Sequence, residues 1–232
     1  MADCAGGRHE RWNDLAVADP GSPVLFDNAA VLLQPPAYTD LDSAVRRMMD
    51  FYPADRHFVF LSAWPTPDLS SAGLTLMGHP PFMVRPAGGS GPPVPDGLEI
   101  VRVADRSTLD DFVATLVEAY PIAGAGGTAL AGPSVLDGPV RLFVGYVDGR
   151  PVSTAGARLG HGIVDVEWVA TLPAYRRRGI GAAVTWAATA ADPGAAAVLI
   201  ASDDGQPVYE AMGYVRLMRL TMWHRPSSPA TP

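Results

Sequence analysis

The segment from Pro86 to Gly97 constrains the fold most, because four prolines and four glycines occupy its twelve positions. Proline cannot donate to a helix or sheet hydrogen-bond ladder and glycine disfavours both, so such a segment connects structured regions. The sequence therefore predicts two domains of ordinary size, at residues 1–86 and 98–226. Residues 87–97 are then a linker, and residues 227–232 a tail.

Bulk composition indicates a globular protein. The 232 residues are 48% hydrophobic and 18% charged, which suffices for a buried core. No apolar run reaches eighteen residues, and residues 1–14 lack the apolar core of a secretion signal. The single cysteine, Cys4, excludes an internal disulfide. We expect a cytoplasmic protein without a membrane segment. The sequence carries no signal for an oligomeric state.

The charged residues exclude several kinds of chemistry. All 17 basic residues are arginine, so lysine-dependent phosphate loops and Schiff bases are ruled out. The net charge of −7 disfavours nucleic acid as a partner and mildly favours a cationic substrate such as an amine. The five histidines show no metal-ligand spacing, so no metal is expected.

Hydrophobic periodicity and turn residues predict an α/β order of elements after the linker. The predicted elements are a strand at 98–103, a helix capped by Asp105 or Ser107, a loop at 122–132, a hairpin of 141–147 with 151–157, a strand at 163–171, a helix at 181–191, a strand at 196–202, a short helix at 207–212 and a hairpin within 214–223.

The predicted elements of the first domain have the same order and spacing as those of the second. A helix containing Ala44 precedes a strand beginning at Val59, and Ala183 precedes Val198 by the same fifteen residues. Both segments end in Arg-Pro, at Arg85 and Arg225. These spacings predict two copies of one α/β unit, although two α/β segments can also share a rhythm by chance.

The segment Arg176–Gly181, with sequence Arg-Arg-Arg-Gly-Ile-Gly, lies between a predicted strand and a predicted helix. Glycines that open a helix leave backbone N–H groups unpaired, and these groups with the helix dipole form an anion site. Neighbouring guanidiniums add charge-assisted hydrogen bonds. On its own the segment is equally explained as a basic turn beside a tight helix start.

Its context resembles the GNAT N-acetyltransferase superfamily. The segment fits that family's arginine-x-x-glycine-x-glycine signature, and Val169–Pro173 before it is similar to the family's fourth strand. Downstream, Tyr209 stands four residues before Gly213-Tyr214, as in the family's second hallmark. The resemblance covers residues 98–225. It implies a mixed, mostly antiparallel sheet flanked by helices, preceded here by a smaller degenerate repeat of the same α/β unit.

The resemblance also implies an activity and a cofactor site. An acetyl or other small acyl group would pass from acyl-CoA directly to a primary amine. A small molecule is the expected acceptor, and a protein N-terminus or lysine is the alternative. The fourth and fifth strands would splay apart around the pantetheine arm. The residues implied to contact acyl-CoA are Val169, Ala170, Thr171, Arg176, Arg177, Arg178, Gly179, Ile180, Gly181, Ala182 and Ser202. For Ser202 a helix-initiating cap is the alternative role.

Catalysis requires a base for the attacking amine and an acid for the leaving thiolate. Strand alternation predicts that Asp165, Glu167, Val169 and Thr171 share one face, so either carboxylate is a candidate base or a solvated bystander. Asp165 falls where some family members carry a glutamate base, whereas Glu167 has the longer side chain and is nearer the acyl group. The resemblance implies that Tyr209 is the acid. Packing against the sheet is its alternative role.

The first domain departs from the family signature. Residues 39–43 replace the arginine–glycine loop with a short acidic segment, in which Asp40 and Asp42 would repel a pyrophosphate. We expect this domain not to bind CoA. Its turns at 64–67 and 78–82 are candidates for substrate contact or simply rigid loops. A catalytically silent acyl-CoA sensor of the same fold is the alternative function for the whole chain.

Overall fold

The computed structural model describes residues 7–120, 128, 130 and 132–226. Cys4, the tail at 227–232 and most of the predicted loop at 122–132 lie outside these residues. Thirteen strands and four helices are described. The strands are β1 (Arg8–Arg11), β2 (Leu15–Asp19), β3 (Ala29–Leu32), β4 (Phe58–Ser62), β5 (Thr75–Gly78), β6 (Pro81–Arg85), β7 (Leu98–Arg102), β8 (Val140–Val147), β9 (Arg150–Gly160), β10 (Ile163–Thr171), β11 (Ala196–Ile200), β12 (Val215–Arg219) and β13 (Thr221–Arg225). The helices are α1 (Leu41–Phe51), α2 (Arg106–Ala119), α3 (Ile180–Thr189) and α4 (Gln206–Ala211).

The chain divides into two compact units by its internal contacts. The described part of the first unit is 7–80, 128 and 218–226, and that of the second unit is 81–120, 130 and 132–217. This division differs from the predicted contiguous domains at 1–86 and 98–226, because a segment near the end of each predicted domain clusters with the other unit. The linker residues 87–97 belong to the second unit.

The sheet of the first unit has the order β1-β2-β3-β4-β13-β5. Only β3 and β4 are parallel in it. Helix α1 begins because the carboxylate of Asp40 accepts the N–H of Ser43 at 3.1 Å, which is an N-cap. Its buried residues Ala44, Val45, Met48 and Phe51 recur at helical spacing and form one apolar face.

The sheet of the second unit has the order β12-β6-β11-β10-β9-β8-β7. Strands β10 and β11 pair in parallel within it. Helices α2 and α3 both contact the central strands β8, β9 and β10. Asp105, one of the two cap residues that the sequence allows, caps α2 in a reciprocal capping box with Thr108. These elements make the mixed α/β fold that the sequence predicts.

Two strands are exchanged between the sheets. Strand β6 closes the first sequence repeat but lies between β11 and β12 of the second sheet, and β13 closes the second repeat but lies between β4 and β5 of the first. The predicted hairpin within 214–223 is therefore wrong. Only Leu220 separates β12 from β13, and a tight hairpin needs at least a two-residue turn, so each strand pairs elsewhere.

An arginine fixes each exchanged strand within its own sheet. At the end of β6, Arg85 donates to the carbonyl of Met212 at 2.9 Å and stacks on Trp186. At the end of β13, Arg225 donates to the carbonyls of Arg56 and Pro53 and stacks on Phe58. The two Arg-Pro sequences thus occupy corresponding structural positions.

The order of elements is the same in the two predicted repeats. Each runs strand, one 3-10 turn of sequence Pro-Ala-Tyr, helix, parallel strand, helical turn and two further strands, from β3 to β6 and from β10 to β13. No helix among the described residues is long and apolar enough to cross a membrane.

Candidate active site

A β-bulge interrupts β10 in the middle of the predicted site. Glu167 pairs with Gly156 of β9 and Ala170 pairs with Thr154, so three steps on β10 oppose two on β9. Trp168 adopts a positive φ of 54°, which is rare for a bulky residue. Its indole lies over position 156, where a Cβ would collide with the ring, so Gly156 makes room for it.

Because of the bulge, the prediction that one face of β10 carries all four of Asp165, Glu167, Val169 and Thr171 is wrong. Paired residues on neighbouring strands point to the same side of a sheet, and the extra residue reverses the alternation. Glu167 therefore shares its face with Ala170, whereas Thr171, paired with Ser153, points to the other side. Asp165 and Glu167 remain on one face, as predicted.

Strands β10 and β11 part beyond their first few residues. Their parallel pairing covers only 163–165 with 196–198, while β10 continues to Thr171 and β11 to Ile200. The edge of β10 that faces β11 therefore keeps unpaired main-chain groups after Asp165. This is the splayed arrangement expected for a bound pantetheine arm.

The arginine–glycine loop presents a row of free amides. None of the N–H groups from Arg177 to Ala182 donates a hydrogen bond to a described residue, and Ala183 is the first to bond back, to Gly179. Positive φ angles at Arg177 and Gly179 shape the loop before α3 begins. Six amides at the positive end of a ten-residue helix can bind an anion.

Gly181 is required by packing as well as by the amides. A Cβ at this position would stand 2.8 Å from Oγ1 of Thr171. That hydroxyl is itself held at 2.8 Å from Oγ of the buried Ser153, which also bonds the carbonyl of Ala170. The first turn of α3 therefore rests directly on the end of β10.

The three arginines of the loop have different surroundings. Arg176 donates to the carbonyls of Thr171 and Ala119, so its guanidinium ties the end of β10 to the end of α2. Arg178 lies over the ring of Tyr175. All three side chains are exposed. Unlike Arg176, therefore, Arg177 and Arg178 donate no guanidinium hydrogen bond to the carbonyl of a described residue.

The two carboxylates of β10, on Asp165 and Glu167, are half-buried. Asp165 pairs directly with Arg158 on β9. Burial raises the pKa of Asp165 above its ordinary value, and the positive charge of Arg158 opposes this. Asp165 therefore binds a proton more readily than an exposed aspartate does. Glu167 follows two residues later on the same face, directly before the bulge.

Tyr209 lies on α4 and packs edge-on against Tyr214, with ring centroids 6.0 Å apart. Burial, with smaller effects of Tyr214 and Tyr120, raises the pKa of Tyr209 to about 12. Its hydroxyl has no hydrogen-bond partner among the described residues, whereas the hydroxyl of Tyr214 is paired with Thr189 at 2.8 Å. The phenol of Tyr209 is thus protonated at neutral pH and available.

Ser202 caps the turn that leads into α4. Its Oγ accepts the N–H of Gly205 at 3.1 Å, and its carbonyl accepts the N–H of Gln206 at 2.9 Å. These contacts are those of the capping role that the sequence leaves open beside cofactor contact.

The first unit lacks the anion site at the equivalent place. The N-terminus of α1 is occupied by its own Asp40, and Asp42 adds a second negative charge in the first turn. The turns at 64–67 and 78–82 both contribute to one cleft of about 410 Å³ in this unit, through Pro65, Thr66 and His79. Across the described part of the chain, no three His, Cys, Asp or Glu residues cluster as metal ligands.

Comparison with known proteins bears on this arrangement. Residues 138–216 match the model of a family described as the acetyltransferase (GNAT) domain. This stretch includes the bulge, the free amides and Tyr209. Residues 138–216 are therefore similar in sequence to a GNAT domain.

A curated relative and two solved structures extend the comparison. The mycothiol acetyltransferase of Clavibacter michiganensis is 39% identical over 93 residues, which are 40% of this chain and 27% of that protein. The chain thus spans about a quarter of that relative. A GCN5-related N-acetyltransferase from Kribbella flavida superposes with a TM-score of 0.71 at 24% identity, covering 98% of this chain and 96% of that one. A GNAT-family protein from Novosphingobium aromaticivorans gives 0.64 at 19%, with the same coverage. Because both identities are below 25%, these superpositions show similarity of fold alone. The similarity covers both units of the chain.

Sequence reasoning missed three residues around the candidate site. Trp168 forms the bulge, Arg158 faces Asp165, and Ser153 holds Thr171. A glycine inside a strand, here Gly156, is the local signal that could have indicated a bulge or a close approach. Arg158 and Ser153 are brought in by strand pairing, which local sequence does not specify.

Proposed function

We propose that the chain is an acyl-CoA-dependent N-acyltransferase that transfers an acetyl or other small acyl group directly to a primary amine. The observation that carries the proposal is the row of free amides from Arg177 to Ala182 at the start of α3, directly beyond the splay of β10 and β11. A pyrophosphate on these amides would leave the pantetheine arm to run between the strands towards Asp165 and Glu167.

The pyrophosphate fits the amide row in charge and in donor number. Backbone N–H groups at a helix N-terminus carry partial positive charge and need no side-chain ordering. The guanidiniums of Arg177 and Arg178 add mobile positive charge at the mouth of the loop. The pantetheine amides would pair with main-chain groups of Val169, Ala170 and Thr171 along the unpaired edge of β10.

The attacking amine must lose a proton, and a carboxylate of β10 would take it. Asp165 and Glu167 share a face, and the raised pKa of Asp165 makes that group a stronger base than an exposed aspartate. Glu167 has the longer reach and stands beside the bulge. Both carboxylates remain candidates, and their neutral amide variants distinguish them.

The leaving thiolate must gain a proton, and Tyr209 would donate it. The amine nitrogen bonds to the thioester carbon, and the carbon–sulfur bond then breaks as the sulfur takes the phenolic proton. A pKa of about 12 keeps the phenol protonated until that moment. The products are an amide and free CoA, and no acyl-enzyme forms.

The acceptor is proposed as a small-molecule amine in solution. The net charge of −7 favours a cationic substrate, and the relative named as a mycothiol acetyltransferase makes the acetyl group the first donor to test. A screen of amines against acetyl-, propionyl- and longer acyl-CoAs, read by thiol release, tests the proposal. Amine-dependent CoA release supports it. Tight acetyl-CoA binding without release with any amine would instead make the chain a sensor.

A further inference from the structure

Two arginines from distant parts of the second unit gather around one tyrosine beside the amide loop. Tyr175 ends the 3-10 turn at Pro173–Tyr175. The guanidinium carbon of Arg178 lies 5.4 Å from its ring centroid, and that of Arg150 lies 5.9 Å away. Arg150 begins β9, so its presence here is a product of the fold rather than of local sequence.

This cluster carries local positive charge, although the net charge of the whole chain is −7. Arg150 has one ion pair, with Glu118 at 3.3 Å, and both side chains are more than half exposed. Exposed ion pairs of this kind contribute little and exchange partners readily. Two guanidiniums against one carboxylate leave net positive charge beside Tyr175. Arg176, the neighbour of Tyr175, donates instead to carbonyls of Thr171 and Ala119.

The chemistry of the cluster suits a phosphate monoester. Such a group carries about −1.5 to −2 charges at neutral pH and three strong acceptor oxygens. Guanidiniums bind these oxygens with two parallel hydrogen bonds each, and stacking on an aromatic ring leaves their N–H edges open. Arg178 belongs to the loop whose amides would hold the pyrophosphate. In CoA the ribose links that pyrophosphate to a 3′-phosphate through a short chain of atoms.

We infer that Arg150 and Arg178, gathered at Tyr175, bind the 3′-phosphate of CoA and make the protein discriminate CoA from dephospho-CoA. The inference rests on the proposed function, because it assumes that the pyrophosphate lies on the amides of Arg177–Ala182. It adds Arg150 and Tyr175 to the cofactor site. It also makes Glu118 a competitor for Arg150 that the 3′-phosphate displaces.

Calorimetry of the full chain with CoA and with dephospho-CoA tests the inference. We expect the wild type to bind CoA at least about 10-fold more tightly, because charge-assisted hydrogen bonds are lost with the 3′-phosphate. Arg150→Ala should weaken CoA but leave dephospho-CoA unchanged. Arg178→Ala should shrink the ratio of the two affinities, even if it also weakens both. Glu118→Gln should raise the ratio.

The matched control is Arg106→Ala, another exposed arginine with one carboxylate partner, at the opposite end of α2 and about 18 Å along its axis from Glu118. In Arg106→Ala the ratio of the affinities for CoA and dephospho-CoA should equal that of the wild type. Equal wild-type affinities for the two ligands, or an unchanged ratio in Arg150→Ala with an unchanged melting temperature, would overturn the inference while leaving the proposed function intact. If the wild type bound neither ligand, the proposed function itself would fail.

Discussion

Gly181→Ala isolates the contact on which the amide row depends. The new Cβ would lie 2.8 Å from Oγ1 of Thr171, where ordinary contacts begin at 3.4 Å. Relief requires a shift of about 0.6 Å in the first turn of α3 or a rotation of Thr171 that breaks its bond to Ser153. Overpacking of this kind costs roughly 1–3 kcal/mol of unfolding free energy.

The same shift should misplace the amides that face the pyrophosphate. We expect CoA affinity to fall about 10-fold or more, which corresponds to about 1.4 kcal/mol. Adding Thr171→Ala removes the clashing hydroxyl, and the remaining neighbour, the Cβ of Thr171, lies at an ordinary 3.9 Å. The double variant should therefore be more stable, and bind CoA more tightly, than Gly181→Ala alone.

Denaturant unfolding and calorimetry on the wild type, both single variants and the double variant complete the cycle. We expect the two substitutions to be coupled. The double variant should lose less unfolding free energy, and less CoA affinity, than the sum of the losses in the two single variants. If Gly181→Ala binds CoA as the wild type does, or if the two substitutions are simply additive, then Thr171 does not position the loop.

The remaining predictions concern the acid, the base and the first unit. Tyr209→Phe should keep the fold and CoA affinity but lower kcat by roughly 10²-fold or somewhat less, within the range of one general acid; a normal kcat with loss of stability only in Tyr209→Ala would assign the ring to packing. If Asp165 is the base, its raised pKa places the loss of activity on acidification above the ordinary carboxyl range, because protonation removes the base. A pH–rate profile should then lose this limb in Asp165→Asn and keep it in Glu167→Gln, and the reverse result would assign the base to Glu167. Asp40→Ala should lower the free energy of unfolding by about 1 kcal/mol through loss of the N-cap. The control Asp42→Ala should lower it by less, and equal losses in denaturant melts would show that the cap contributes nothing.

Local signals in the sequence account for most elements of the second unit. The Asp148-Gly149 turn predicts the hairpin of β8 and β9, and both residues adopt the positive φ that such a turn needs. Asp105 predicts the start of α2, and the glycines at 179 and 181 predict the start of α3. In each case the residue's own conformational preference or its hydrogen bond to a near neighbour determines the structure.

The features that the sequence could not predict depend on distant parts of the chain. The strand exchange follows from pairings such as Ile200 with Phe82 and His224 with Val59, and the sequence of a strand does not by itself specify a distant partner. The bulge places Trp168 at a φ that its residue type disfavours, so propensity argues against it. Its consequence, the reversal of faces between Glu167 and Thr171, was therefore missed.

The transfer of a labelled acetyl group tests the central claim most directly. Wild-type protein, acetyl-CoA carrying ¹³C in the acetyl group and a set of primary amines would be followed by NMR until the acetyl-CoA is consumed. The account predicts that the label appears on the amine nitrogen of at least one acceptor, with one free CoA per amide, and that Tyr209→Phe forms the same product more slowly. Label that stays on CoA with every amine, although acetyl-CoA binds, would contradict it.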